Sequence, residues 1–159
     1  MDGVTVQVGG HVTLLFSVHS KPLLARNQGS KGAGLCLEDG VEVTVQCLEQ
    51  GPDEISVTTM DGSPFAEGEQ MYVDLLNSFR DIFSIDSPVR IMIELDLPVS
   101  QGFGMSAAGI LATSLALGEL FDCGDEGQLA RLAHRLERQK SGGLGDVLGL
   151  LSLIHISEP

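Results

Sequence analysis

Pro98-Val99-Ser100-Gln101-Gly102-Phe103-Gly104-Met105-Ser106-Ala107-Ala108 is the stretch on which the reading of this chain turns. It lies between Val89 to Leu97, where apolar and polar residues alternate, and Ala107 to Phe121, which is apolar on nearly every side. A period of two that stops at a proline predicts a strand. Apolar residues all round predict a buried helix. A glycine-rich turn between the two lets backbone N–H groups approach an anion closely, because glycine has no Cβ. The helix N-terminus adds further N–H groups and the positive end of its dipole. Ser106 either caps that helix or offers its hydroxyl to a cation bridging phosphates. Two readings are open from this segment: a phosphate cradle, or a tight turn closed by a serine cap.

Upstream, Val12 to Val18 is an apolar run of strand length. Leu35 to Leu37 and Val41 to Leu48 predict two strands around a turn at Asp39-Gly40, the second alternating Val41, Val43, Val45 and Cys47 with polar neighbours. Ile55 to Thr59 is expected to close an antiparallel set. Glu67 to Phe83 carries a helical stripe of Met71, Leu75, Phe79 and Phe83. Downstream, Asp125 to Gln139 starts acidic and ends basic, as a helix dipole favours. Its apolar stripe is Leu129, Leu132, Ala133 and Leu136, and Ser141 to Gly145 breaks it before Asp146. There is no internal repeat or long linker, and the pattern is α+β in one domain over residues 1–149. Residues 150–159 form an atypical tail. Its ending, LIHISEP, resembles a translated sequencing-adapter scar, so the tail is set aside from fold reasoning.

The 159 residues are 43% apolar, enough for one core, with 20 glycines. A net charge of −13, with nine basic residues, argues against binding to nucleic-acid phosphates. With no Trp and one Tyr, stacking on bases is not expected either. The uncharged stretch from Gln101 to Gly118 contains glycines and is short of the ~20 apolar residues of a membrane span. No signal peptide is expected. Cys36, Cys47 and Cys123 lack metal-ligand spacing and read as reduced, buried thiols of a cytoplasmic protein.

Two familiar phosphate loops fit poorly. No Gly-Lys-Ser/Thr exists for a Walker loop. Gly102, Gly104 and Ala107 satisfy the G-x-G-x-x-A dinucleotide fingerprint, with Asp122 downstream. That acid should end a second parallel strand, whereas another helix is predicted there. A nicotinamide-dependent dehydrogenase is therefore the minor alternative.

Pro98-x-x-x-Gly102-Phe103-Gly104-Met105-Ser106-Ala107-Ala108 resembles the central phosphate-loop signature of the GHMP kinases, P-x-x-x-G-L-G-S-S-A-A, with Phe103 and Met105 as substitutions. Further segments resemble the archaeal pantoate kinase branch of that superfamily. They are Gly10-His11-Val12-Thr13 with Phe16-Ser17-Val18-His19, Gly29 to Gly34, Ala133-His134-Arg135-x-Glu137, and Gly143-Leu144-Gly145-Asp146-Val147. The resemblance implies an N-terminal domain like domain 2 of ribosomal protein S5, with a left-handed βαβ crossover. It also implies a C-terminal ferredoxin-like domain that is missing from this chain. The implied reaction moves the γ-phosphoryl group of ATP, with Mg2+, to the 4-hydroxyl of pantoate in coenzyme A synthesis. Mevalonate, homoserine or a shikimate-like acceptor is the alternative within the superfamily, and a non-catalytic fragment is a third reading. A small-molecule partner and a homodimer are compatible with it, without nucleic acid or membrane.

The resemblance also implies roles. Pro98, Gly102, Phe103, Gly104, Met105, Ser106, Ala107 and Ala108 would surround the ATP phosphates. Ser106 and Glu137 would hold magnesium, a hard cation that prefers oxygen ligands; for Glu137 a solvated place on a charged helix face stays equally open. Asp146 would act as general base on the acceptor hydroxyl, against a role as a helix cap. His19, Ser30 and Lys31 are the candidates for acceptor binding, Lys31 as the cation facing the pantoate carboxylate. Arg26 reads more readily as surface charge. His11 stands where many relatives carry Lys or Arg, Gly9 replaces their usual Pro, and a structural role for either histidine stays open.

Overall fold

The structure, a computed structural model, describes residues 3–19, 29–140, 150 and 154–157. Five strands form one sheet in the order β3-β4-β2-β1-β5, where β1 is Gly3–His19, β2 Gly29–Cys47, β3 Glu54–Thr58, β4 Val89–Leu95 and β5 Ile154–Ser157. Among the described residues, three α-helices, α1 (Glu69–Phe83), α2 (Met105–Leu120) and α3 (Glu126–Lys140), pack with the sheet in this α+β domain.

The core begins with valine and isoleucine at every second position. Val4, Val6 and Val8 of β1 face Val45, Val43 and Val41 of β2, which in turn face Ile91, Ile93 and Leu95 of β4. All of these are buried. Branched side chains opposite one another on one sheet face form the packing unit of a sheet. Helix α2 lies against this face, with contacts to β1 and β2, and α1 and α3 pack on it in turn. This explains a helix apolar on all sides: from Ala107 to Gly118 every residue is buried.

The observed strands depart from the sequence expectation in three places. Asp39-Gly40 is not a turn, because β2 runs unbroken through it. Gly40 pairs with Gly9, and a Cβ on it would meet main-chain atoms of β1, Gly9 C at 2.6 Å and Gly10 N at 2.7 Å. Two backbones touch there, beside the irregularity between Gly9 and His11; the glycine serves close approach, not reversal. Second, β1 begins at Gly3, well before Val12, since Val4, Val6 and Val8 already alternate. Third, β3 pairs with β4 in parallel, not antiparallel, because α1 carries the chain across between them. In addition, Ile154–Ser157 of the tail pair antiparallel with Val8 to Thr5 of β1, and Leu150 is fully buried, so these residues do take part in the fold. Cys36 is exposed and Cys47 and Cys123 are half-buried, so the expectation of three buried thiols fails.

The ends of two helices are set by polar side chains. At α3, Asp125 accepts from the Gln128 amide (2.7 Å) while Gln128 accepts from the Asp125 amide (3.0 Å), a reciprocal capping box. Near the C-terminus of α1, Arg80 donates to both oxygens of Asp53 (2.6 and 2.8 Å) and to the Ser87 carbonyl (2.7 Å). Asp53 also accepts from the Val89 amide (3.0 Å), so this cluster fixes where β4 begins. The hydrogen bonds from Arg80 hold the Asp53 carboxyl below its ordinary value of 3.8. A carboxylate with a lowered folded-state pKa contributes its full stability above the unfolded value and loses it as pH falls through the folded one. Arg80→Leu is expected to cost about 1–2 kcal/mol at neutral pH. The gap between variant and wild-type melting temperatures should close on acidification below about pH 4; an unchanged gap at pH 3 would refute the assignment.

Candidate active site

Strand β4 ends at Leu95 and the chain reaches α2 through the loop 96–104. Ser100, Gly102 and Gly104 all adopt positive φ there, 59°, 83° and 68°. Gly104 occupies the N-cap position in the left-handed conformation, and no side chain caps the helix. Of the two open readings of Ser106, the cap is not realised: α2 starts at Met105, two residues before the expected Ala107, and Ser106 lies within its first turn. The first helical hydrogen bond runs from the Ala108 amide to the Gly104 carbonyl (2.9 Å). The amides of Met105, Ser106 and Ala107 precede it and have no partner within the helix. Ala108 has its amide committed and its methyl in the core, so it shapes the helix start without offering a donor. A Cβ on Gly102 would meet nothing within 4 Å, which leaves open space above the loop.

Strand β1 buttresses this loop from below. The His11 amide donates to the Phe103 carbonyl (2.9 Å), and the Gly104 Cβ position is 3.6 Å from the His11 side chain. The His11 ring lies against Gly34, with Nδ1 3.4 Å from the Thr13 hydroxyl. His11 thus has structural partners at the edge of the site.

A cavity of about 360 Å³ opens beside the loop. Its walls are mostly apolar, with Val57, Phe65, Met71, Tyr72, Leu95 and Phe103, and Glu67, Ser100 and Ser106 are polar. Pro98, Gly102, Gly104 and Met105 also line it. An apolar chamber of this size with a few polar groups fits a small-molecule site. Sequence reasoning missed Glu67, Met71 and Tyr72 as lining residues, because a helical stripe shows which face is covered and not what covers it. In the structure, the Ser106 hydroxyl donates to the Met71 sulfur (3.0 Å).

Glu137 is not a solvated residue, since its side chain is only 2% exposed. Its Oε2 lies 3.5 Å from His134 Nδ1. Burial, together with Arg138, lowers the His134 pKa and favours the neutral ring. Helices α2 and α3 form a hairpin in which Ser114 donates to the Leu129 carbonyl (3.0 Å). Ser106 lies as many residues before Ser114 as Glu137 lies after Leu129, and both steps climb about 12 Å the same way. The hairpin register therefore brings Ser106 and Glu137 to one level, at the loop end of the domain.

The acceptor candidates are distributed differently. His19 pairs with Gly29, Val18 with Ser30 and Ser17 with Lys31, so register brings His19, Ser30 and Lys31 together. They sit at the far end of the β1–β2 ribbon, roughly 27 Å along the strand from His11 at about 3.4 Å per residue. The structure does not bring them to the glycine loop. Asp146 and Arg26 lie outside the described residues. The dehydrogenase alternative loses its geometry: after α2 the chain turns at Asp122 into α3, not into a second parallel strand.

The sheet with its βαβ crossover leads through a glycine loop into a buried helix. The family model "GHMP kinases N terminal domain" matches residues 70–152, more than half of the chain, and the chain belongs to this family. Among curated proteins, it is 34% identical over 149 residues to a pantoate kinase of Methanospirillum hungatei and 35% identical over 151 residues to one of Thermococcus kodakarensis. Both alignments cover 91% of this chain and 48% of the relative, so the chain spans about half the length of these curated relatives. A solved structure described as a phosphotransferase related to the CoA biosynthesis pathway superposes with a TM-score of 0.72 at 30% identity, covering 94% of this chain and 50% of that one. A mevalonate kinase from Staphylococcus aureus shares the fold, with a TM-score of 0.69 at 19% identity over 99% of this chain and 55% of that one.

Proposed function

We propose that this chain carries the nucleotide-binding half of an ATP-dependent kinase that phosphorylates the 4-hydroxyl of pantoate. The observation that carries the reading is the continuity of the apolar cavity with the uncapped start of α2. A nucleotide needs both parts, a dry place for its base and donors for its phosphates. The amides of Met105 to Ala107 supply the donors, and the open space over Gly102 leaves room for the phosphates. The pantoate assignment is supported by the two curated relatives.

Magnesium fits the oxygens present, the Ser106 hydroxyl and the Glu137 carboxylate, and when bound would neutralise phosphate charge. The chain's own residues would do the remaining work. The loop amides would hold the phosphates, and Tyr72 and Phe103, which line the cavity beside them, would help to shield that site from water. Asp146, as general base, would take the proton of the attacking hydroxyl at its carboxylate oxygen. Positioning and electrostatic stabilisation account for most of the acceleration in such reactions.

The test is ADP release from purified protein with ATP, Mg2+ and a panel of pantoate, mevalonate, homoserine and shikimate, run on this chain and on any longer product of its gene. Pantoate-dependent release at least tenfold above the other acceptors is expected. Equal release with all four, or preference for another alcohol, rejects the substrate assignment.

A further inference from the structure

We infer that Met71 is a positioning residue for Ser106: its sulfur accepts the serine proton and leaves the serine oxygen free to meet a cation. The inference rests on the nucleotide-binding reading of this site. It starts from a problem that every serine in the first turn of a helix faces. Deeper in a helix, a serine or threonine hydroxyl can donate back to the carbonyl four residues earlier. This protein shows that twice, from Thr113 to the Gly109 carbonyl (2.8 Å) and from Ser78 to the Asp74 carbonyl (2.9 Å). Ser106 has no such carbonyl, because four residues earlier lies Gly102 in the loop, at φ 83°. Its proton needs an acceptor from elsewhere, and α1 delivers one: the Ser106 hydroxyl donates to the Met71 sulfur at 3.0 Å.

The chemistry of that acceptor is specific. A hydroxyl carries one proton and two lone pairs. A hydroxyl that ligates a metal does so through a lone pair, so its proton must point to a third group. Groups that orient a ligand in this way tune a metal site as surely as the ligands do. A carboxylate in that place would accept the proton more strongly but would also compete for a hard cation. A thioether is a weak acceptor and a soft ligand, and it leaves hard cations to oxygen donors. Met71 and Ser106 both line the cavity, so the pair sits where base pocket and phosphate loop meet. Ser106 is also the one exposed residue of α2 before Glu119, and its hydroxyl is held from α1 and not by its own helix.

Binding of the non-hydrolysable analogue AMP-PNP, measured calorimetrically with and without Mg2+, separates this role from simple packing. Wild-type protein should bind more tightly with Mg2+. Met71→Leu keeps an apolar side chain of similar volume and removes the acceptor. It should reduce the ratio of affinities with and without Mg2+ about three- to tenfold, over and above any change in metal-free binding that altering the cavity wall brings. Ser106→Ala should do the same, and the double variant should be no worse than Ser106→Ala within twofold, since the two act as one unit. In wild-type protein, the 13C-methyl resonance of Met71 should shift more with Mg2+ and AMP-PNP together than with AMP-PNP alone, a readout that needs no variant. The inference is overturned if Met71→Leu leaves the magnesium gain intact, if it weakens metal-free binding equally, if its loss multiplies with that of Ser106→Ala, or if the methyl resonance ignores Mg2+. Wild-type protein that binds no AMP-PNP under either condition would overturn the nucleotide reading itself, and this inference with it.

Discussion

Gly109→Ala is expected to destabilise this protein by about 2–4 kcal/mol, although helix propensity alone predicts stabilisation of about 1 kcal/mol. The two effects have opposite sign, and packing decides. Gly109 lies in the second turn of α2, facing α1. A Cβ there would collide with the Tyr72 hydroxyl and come within 3.1 Å of Tyr72 Cζ and 3.3 Å of Cε1. Tyr72 is 1% exposed and its ring is rigid, so relief requires either pushing the ring into the adjoining cavity or moving the helices apart. Removing the oxygen relieves the worst contact. Tyr72→Phe should therefore recover at least half of the loss in the double variant, a coupling of about 1.5 kcal/mol or more between neighbours. Urea unfolding of the four proteins measures it. A Gly109→Ala variant more stable than wild type, or additive effects, would show that α1 and α2 are not packed at this distance.

The second large effect concerns turnover. Asp146→Asn is expected to lower kcat for phosphoryl transfer about 10²- to 10⁴-fold, the range of a general base, with AMP-PNP affinity within threefold of wild type. The choice of asparagine separates the two readings of this residue. Asn is as good a helix N-cap as Asp, so a capping role would survive the substitution. It cannot take a proton at neutral pH, so a base would not. Loss of kcat with unchanged nucleotide binding and melting temperature assigns Asp146 to the acceptor hydroxyl. An unchanged kcat assigns it to the helix end and removes it from the chemistry.

How much of this was legible beforehand depends on the range of the interactions involved. The helices were legible because their signals are local. The acidic start and basic end of α3, the stripe of α1 and the featureless apolar surface of α2 each report on neighbours within a few residues. Most of β2, β3 and β4 was legible as strand, but the start of β1, the strand Ile154–Ser157 and the pairing were not. Asp39-Gly40 has the composition of a turn, and only the closeness of a second backbone at Gly9 and Gly10 reveals the glycine's purpose. Ile55 to Thr58 looks the same in parallel and antiparallel sheets, since period two is common to both. The cavity was not legible, because it is bounded by elements as distant in sequence as Val57 and Ser106.

The sequence by itself determined the class of the domain, the position of the glycine loop between strand and helix, and the family signature running through Ser106 to Ala108. Tertiary structure decided what the signature could not: that α2 starts at Met105 without a side-chain cap, that Glu137 is buried, and that α1 supplies the acceptor for the Ser106 proton. It also placed His19, Ser30 and Lys31 together at the remote end of a ribbon. The physical reason is one of distance along the chain. Propensity, capping and periodicity act over one or two turns and are written in adjacent residues. Burial and hydrogen-bond partnership are settled between segments that meet only after the chain has folded.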